Sequence, residues 1–457
     1  MPYKDLRGFL DYLAEIDELI VVKSSVSAKY EVTEICRKLV EAGGPAVLFE
    51  KVDRREGRLL VNLFGTRRRC ALALGTVPEK LESFCEERAS RRLNPVLFSK
   101  SEVPCKEVIL KGDEVDLLKF PIPTFHIGDG GPYISLGVQM SKDPALGENA
   151  AIHRMQVKGR NKANLFISNP RRHIAAHISK ARERGDKEID VAVVVGGDPV
   201  FVMAAVSGIP LGDYEMKLAG ALRGAPVEVV KCETIDLEVP LNAEIILEGK
   251  LRIDELENEG PFCEWTGYQS GTTRSPVYEV TAITHRKNPV FQACHVGKPP
   301  NEAINVFAVR DSIVSAQIKQ KYPAVKKIVS GSGWQQAVLV SVVQIREEEK
   351  SPDNVKKLLQ TLGESPVNKV IIAVNEDIDP ENIKDVLWAI STRVQPDRDI
   401  QIITGKQGYQ LDPSFVNGTS SSILIDATKK ADFRGITGKI PEDIIKKVEK
   451  NWKTYCF

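Results

Sequence analysis

Leu6, Phe9, Leu10, Leu13 and Ile16 recur at intervals of three or four residues. This spacing predicts an amphipathic helix over residues 5–20, with Asp5 placed to cap it. A second helix is predicted over residues 30–42, ended by Gly43-Gly44. The runs AVLFEKV and RLLVNLFG read as strands and residues 71–92 as a helix, and this mixed segment closes near Pro104, Pro121 and Pro123. From about 125 to 300 the pattern changes to short β-rich runs between Gly and Pro turns: YISLGVQM, AIHRMQV, DVAVVVGG, PVEVVKC, AEIILEG, VYEVTAITHR and PVFQAC. Helical spacing interrupts them near 173–184 and 213–223. Many short strands with few helices predict a barrel or sandwich, not a doubly wound sheet. Beyond 302 the strands LVSVVQI, KVIIAVN and IQIIT alternate with helices predicted at 352–362 and 380–393, the rhythm of a smaller βαβ unit. Asp379 is placed to cap the second of these helices, with Pro380 in its first turn. The amphipathic run PEDIIKKVEKNWKTY predicts a terminal helix.

The pattern divides the chain into an N-terminal α/β region (1–115), a central β-barrel region (116–305), a C-terminal α/β region (306–437) and a terminal helix (438–457). A chain of 457 residues with 42% apolar and 27% charged positions is long enough to build full cores without covalent staples. A net charge of +1 gives no global field toward nucleic acid or an anionic membrane. The eight cysteines are scattered without a CxxC pair, which argues against a disulfide framework or a zinc ribbon. The most apolar stretch, 191–206, is broken by Gly196-Gly197-Asp198-Pro199 and cannot cross a bilayer as one helix. A reducing cytoplasm is the expected location.

Several stretches carry candidate chemistry. In LENEGPFCEWTGY, Glu259 and Glu264 bracket a Gly-Pro turn, and Phe262, Trp265 and Tyr268 stand beside them. Desolvation raises a carboxyl pKa and a nearby cation lowers it, so a shielded pair can serve as acid and base, or can be an ordinary acidic turn. In GENAAIHRMQV, a strand from Ala151 would place Ile152 and Arg154 on one face, where the guanidinium could clamp a carboxylate or make a surface ion pair. RRHIAAHI puts His173 and His177 one helical turn apart, a spacing that suits metal ligation or packing. The Glu of HExxH is missing, which argues against a metalloprotease. Glu215 falls near a helix N-terminus, where a carboxylate is favoured by the dipole or can ligate a hard cation. FHIGDGGPY could admit close backbone approach to a ligand but is not a phosphate loop.

Together these segments resemble the UbiD family of reversible, non-oxidative decarboxylases. The resemblance rests on HIGDGGPYISLG, the Asn149–Arg154 spacing, RHI at 172–174, the Glu215–Gly220 motif, EGPFxE at 259–264, GKPPNE at 297–302, VNEDIDPENIKDVLWAISTR and LIDATKK, all in family order. It implies a central split β-barrel of flavin-reductase type and a prenylated FMN made by a separate flavin prenyltransferase. It also implies a divalent metal, usually manganese, that bridges the cofactor phosphate, with potassium close by. Matched by position, the metal ligands are Asn149, His173 and Glu215. The cofactor site adds Ile152, His153, Arg154 and Arg172, and His177 is left to packing or a second layer. The implied catalytic trio is Arg154, Glu259 and Glu264, with Glu264 assigned the proton transfer. Cys263 stands where the family often has Gly, so its side chain either narrows the pocket or turns into the core. The tail helix resembles a dimerisation arm, which implies a homodimer or a trimer of dimers.

The substrate implied is a small carboxylic acid, aryl or α,β-unsaturated, with carbon dioxide as co-product. The Lys/Glu/Arg-rich, Gln-poor composition fits a thermophile and keeps an archaeal isoprenoid-pathway acid, anhydromevalonate phosphate, as an alternative. Two other classes remain: a non-catalytic subunit of a multisubunit aryl carboxylase, and a conventional flavin oxidoreductase. The first has no need of buried charges, which are costly. The second has no need of an acid pair.

Overall fold

A computed structural model describes residues 3–331 and 338–455 of the chain. The first helix, Leu6–Glu15, buries Leu6, Phe9, Leu10 and Leu13, and Asp5 caps it by accepting from the Gly8 amide at 3.0 Å. It is shorter than the predicted span, because Leu19–Val26 is a strand. The second helix, Glu31–Glu41, ends where the Gly44 amide donates to the Leu39 carbonyl. The single helix predicted at 71–92 is two, Arg67–Ala73 and Leu81–Ala89. Gly75, at φ +70°, and Pro78 lie between them, and neither suits a helix interior.

A four-stranded N-terminal sheet runs in the order Leu19–Val26, Ala46–Val52, Arg58–Val61, Val290–Gln292. Its last strand arrives from far along the chain. Conversely, Val108–Lys111 pairs with Thr273–His285 of the central sheet. The N-terminal and central regions therefore share hydrogen-bonded ladders.

The central sheet has nine strands. Two of the runs read from sequence as single strands are each broken. YISLGVQM is Tyr133–Ile134 and then Val138–Asp143, and AIHRMQV is the end of Gly147–Ile152 and then Met155–Val157. Tyr133–Ile134 and Met155–Val157 stand at one edge of the strand order, Val138–Asp143 and Gly147–Ile152 at the other. Ile134 pairs with Met155 and Val138 with Ile152. Only residues 135–137 and 153–154 join the two edges, and an extended chain spans at most about 3.6 Å per residue. The sheet must therefore curl until its edges nearly meet, giving the split barrel. Arg154, expected on a regular strand with Ile152, sits instead in the connection across the split.

The C-terminal sheet runs Val325–Ser330, Val340–Ile345, Val370–Asn375, Thr419–Asp426, Ile400–Gln407. Alternate residues feed two cores. Val343, Ile371 and Leu424 pack under helix Pro352–Gly363, while Val342, Ile372 and Ile425 pack under helix Ile383–Arg393. The strand at 419–426 was missed from the sequence, and Ile400–Gln407 is an antiparallel edge strand, not a further βαβ strand. Asn382, not Asp379, caps the second helix by accepting from the Lys384 amide, while Asp379 accepts from the Glu381 amide in the preceding turn. The terminal helix is Glu442–Lys450, followed by a short 3-10 turn at Trp452–Tyr455. The last two residues of the predicted helical region lie outside the described residues. Seven cysteines are described, and all are free thiols. Among the described residues no helix is long and apolar enough to cross a membrane.

Candidate active site

The break in the barrel makes the site. Ser135, Leu136, His153 and Arg154, from the two connections, and Ile152, at the end of its strand, line one side of a cleft. Phe262, Glu264 and Trp265, from the turn after the long strand Ile245–Glu259, line another. Tyr409 and Leu411, from the C-terminal region, close it.

Arg154 and the two glutamates converge although 110 residues separate Arg154 from Glu264. The guanidinium grips Glu259 through two bonds, Nε to Oε1 at 2.9 Å and Nη2 to Oε2 at 2.8 Å, and it also bonds Glu264 through Nη1. Glu259 is wholly buried, and Arg154 and Glu264 nearly so. Phe166 lies 3.8 Å from the guanidinium carbon and Phe262 5.0 Å from it, each distance taken to the ring centroid. A planar cation stacked on rings and forked onto a carboxylate has one orientation. Burial pulls the Arg154 pKa down, but the bond to Glu259 and the charges of both glutamates outweigh it and leave it above its ordinary value. Burial pushes the Glu264 carboxyl up. Arg154 opposes that rise and the charge of Glu259 adds to it, so the net shift is upward.

The rings expected beside the acids divide. Phe262 is buried and Trp265 lines the cleft, whereas Tyr268 is 63% exposed and shields nothing. Tyr133 takes its place, with its ring centroid 4.3 Å from that of Phe262. Cys263 is buried with its sulfur beside Gly297, turned away from the cleft wall that its neighbours Phe262 and Glu264 form.

A second polar group lies along strand Gly147–Ile152. Glu215 opens helix Glu215–Arg223 and accepts from the Ala150 amide at 2.8 Å. His173 opens helix His173–Arg184, with Nδ1 3.6 Å from Glu215 Oε1. Asn149, one residue before Ala150, is buried, and its Oδ1 has no hydrogen-bond partner among the described residues. Burial pushes the Glu215 carboxyl up to about 7, against the pull of the Ala150 bond. Burial and Arg172 lower the His173 pKa. A carboxylate, a neutral imidazole and a free amide oxygen form a donor set for a hard divalent ion. Among the described residues no three His, Cys, Asp or Glu side chains converge on a metal-sized space, and this set draws its third donor from an amide. His177 stands two hydrogen bonds away, through Ser141. It is buried and bonded to Ser141 Oγ at 3.0 Å, and that hydroxyl lies 3.5 Å from Asn149 Nδ2.

His153 is held through its backbone by Gln139, which accepts from its amide at 2.6 Å and donates to its carbonyl at 3.0 Å. Burial, with Arg172 adding, pushes the His153 pKa down to about 3, so the ring is neutral. Arg172 lines the cleft without a carboxylate partner among the described residues. Burial lowers its pKa, and its Nε reaches Ser168 Oγ at 3.4 Å. The sequence reading missed Phe166, Ser270 and Gln156. Ser270 Oγ accepts from Arg154 Nη2 at 3.1 Å and from the Phe262 amide. Gln156 spans from the Gly130 carbonyl to the Gly260 amide. Gln156 is two residues from Arg154 and period-two spacing could have found it. No local signal marks Ser270 or Tyr409.

The chain compares closely with known proteins along its whole length. Residues 10–87, 96–299 and 308–427 match, respectively, the N-terminal, Rift-related and C-terminal domains of 3-octaprenyl-4-hydroxybenzoate carboxy-lyase. An uncharacterized protein of Archaeoglobus fulgidus is 34% identical, covering 97% of this chain and 95% of its own. Among solved structures, the UbiD-class enzyme HmfF from Pelotomaculum thermopropionicum in complex with FMN aligns at TM-score 0.87 and 32% identity, over 98% of this chain and 100% of that one. An evolved dimeric form of that enzyme with prFMN aligns at 0.84 and 31%, over 96% and 98%. The vanillic acid decarboxylase of Sedimentibacter hydroxybenzoicus, in closed form, aligns at 0.85 and 27%, over 99% of each chain.

Proposed function

The chain belongs to the UbiD family of carboxy-lyases, and from that premise we propose that it catalyses reversible, non-oxidative decarboxylation of an aromatic or α,β-unsaturated carboxylic acid with prenylated FMN. The observation that carries this reading is the buried Arg154–Glu259–Glu264 network on the cleft wall. Bound prenylated flavin supplies the electron sink for the negative charge that develops as carbon dioxide leaves. The chain's own residues do the rest. Glu264 holds a proton and delivers it to the carbon that lost carbon dioxide. Its raised pKa keeps that proton at a pH where a free carboxyl is ionised. Glu259 fixes the guanidinium by its two bonds, and the guanidinium in turn orients Glu264. Phe166 and Phe262 keep water from the reacting centre.

The residues present fit the cofactor. Ile152, His153 and Arg172 line the cleft where it would lie, and Arg172, which has no carboxylate partner among the described residues, offers its charge to an anionic ligand. Asn149, His173 and Glu215 would hold the divalent ion, manganese by ligand chemistry, that joins the protein to the flavin phosphate. The free oxygen of Asn149 supports this assignment. A potassium ion close by and a flavin prenyltransferase as cofactor supplier complete the reading. The terminal helix leaves Ile444 and Ile445 exposed, which supports its packing against a second copy of the chain.

Co-expression with a flavin prenyltransferase tests the proposal. The purified protein should absorb as a modified flavin and release carbon dioxide from at least one acid in an aryl and enoic panel. Protein made without the prenyltransferase should release none. Hydride transfer from a nicotinamide without carbon dioxide release would point to an oxidoreductase.

A further inference from the structure

The strands Ile400–Gln407 and Thr419–Asp426 form an antiparallel hairpin whose connecting loop covers residues 408–418. Hairpin loops are usually two to five residues long, and longer ones are commonly functional. This loop carries Tyr409 and Leu411 into the cleft. The Tyr409 ring lies 6.1 Å from that of Trp265, the residue after Glu264, and Trp265 lies 6.2 Å from Phe307. Ordering a loop this long costs entropy that its contacts must offset.

A buried carboxylate ties its middle. Asp412 is 5% exposed. Lys369 Nζ, at the root of strand Val370–Asn375, reaches both its oxygens, at 2.8 and 2.9 Å. Asp412 also accepts from the Ser414 amide and hydroxyl, each at 3.0 Å, and from Ser420 Oγ at 3.4 Å. Its own amide donates to the Tyr409 carbonyl at 2.9 Å. At the mouth of the loop the Phe415 ring covers Gly408 so closely that a Cβ there would fall 2.0 Å from a ring carbon. The loop is therefore pinned at its middle and folded onto its own start. Lys369 is 36% exposed, and an ion pair with one solvated partner adds little net stability, so its effect is sought in geometry.

We propose that Lys369 and Asp412 are positioning residues: their ion pair fixes the 408–418 loop so that Tyr409 and Leu411 form a rigid wall of the cleft against which the substrate is held. The inference rests on the cleft being the substrate site. Neither residue touches the Arg154–Glu259–Glu264 network, so their loss acts on substrate binding and leaves the proton chemistry in place.

The test uses holoenzyme carrying Asp412→Asn, which keeps shape and an acceptor oxygen but loses the charge, and Lys369→Arg, which keeps the charge. Hydrogen exchange at 408–418 should quicken about tenfold or more in Asp412→Asn and stay near wild type in Lys369→Arg. With an acid that wild type turns over, KM should rise about tenfold in Asp412→Asn while kcat and the pH profile of kcat hold. Wild-type exchange rates in Asp412→Asn, or a loosened loop with KM unchanged, overturn the proposal. So does a loss confined to kcat. If wild type releases carbon dioxide from no acid while Asp412→Asn still loosens the loop, the decarboxylase reading fails and the clamp stands. Should Asp412→Asn not fold, Lys369→Met with the same two measurements decides the question.

Discussion

The two polar clusters of the central barrel are finished to different degrees. In Arg154–Glu259–Glu264 each charged group has its partner inside the chain, and rings cover the outside. In Asn149–His173–Glu215 an amide oxygen is buried with no partner among the described residues, and the imidazole stands 3.6 Å from the carboxylate, too far for a hydrogen bond. Burying a polar oxygen without a partner is costly and uncommon in native proteins. The first cluster is thus paired as folded, and the second leaves the Asn149 amide oxygen open, as the proposed metal site requires. The difference separates a network whose charges are paired within the chain from a group that leaves a polar oxygen unpaired among the described residues.

That contrast breaks first at Glu264. Glu264→Gln keeps the shape and an acceptor for Arg154 but removes the transferable proton, so turnover should fall by about 10²–10⁴-fold, the usual worth of a general acid, with flavin content unchanged. Single-turnover carbon dioxide release beside an absorbance spectrum measures both, and full activity in this variant would remove Glu264 from the acid role. The second cluster should respond the opposite way. His173→Ala should lower metal and flavin occupancy together by at least about tenfold, since even outer partners of metal ligands shift affinity by 10- to 100-fold. Elemental analysis of the purified variant is the check, and unchanged manganese would exclude His173 as a ligand.

How legible each cluster was in the sequence follows from the same physics. Glu259 and Glu264 sit on one turn, and Glu215 and His173 each open a helix at their predicted places. Local pattern and family resemblance together were enough to nominate them. The convergence of Glu259 and Glu264 with Arg154 was not readable from periodicity, because it depends on the barrel being split where two apparent strands break at 135–137 and 153–154. Those runs are apolar on both sides of the break, so periodicity runs straight through it. The cross-region pairing of Val290–Gln292 with Arg58–Val61 is equally non-local. Tyr268 was misplaced because hydrophobic character at a turn does not say which way a ring points, and here it points to solvent. Tyr409 lies in a loop whose position is set by Lys369, forty residues upstream by chain number, and no short window contains both.

The smallest expected effect is the most discriminating, because it tests whether the first cluster acts as a unit. Glu264 must be protonated to donate, so turnover is present below its folded pKa and is lost as pH rises through it. Burial raises that pKa, so the loss falls above the ordinary carboxylate range. The same shift makes folding less favourable with rising pH across that window, because the unfolded chain gives up its proton first. Glu259→Gln removes a like charge that raises Glu264, and it also frees Arg154 to pull harder on the remaining carboxylate. Both effects lower the Glu264 pKa, so the alkaline limb of kcat/KM should move to lower pH. A limb that stays put or moves up would mean that Glu259 does not tune Glu264, and that the network serves packing alone.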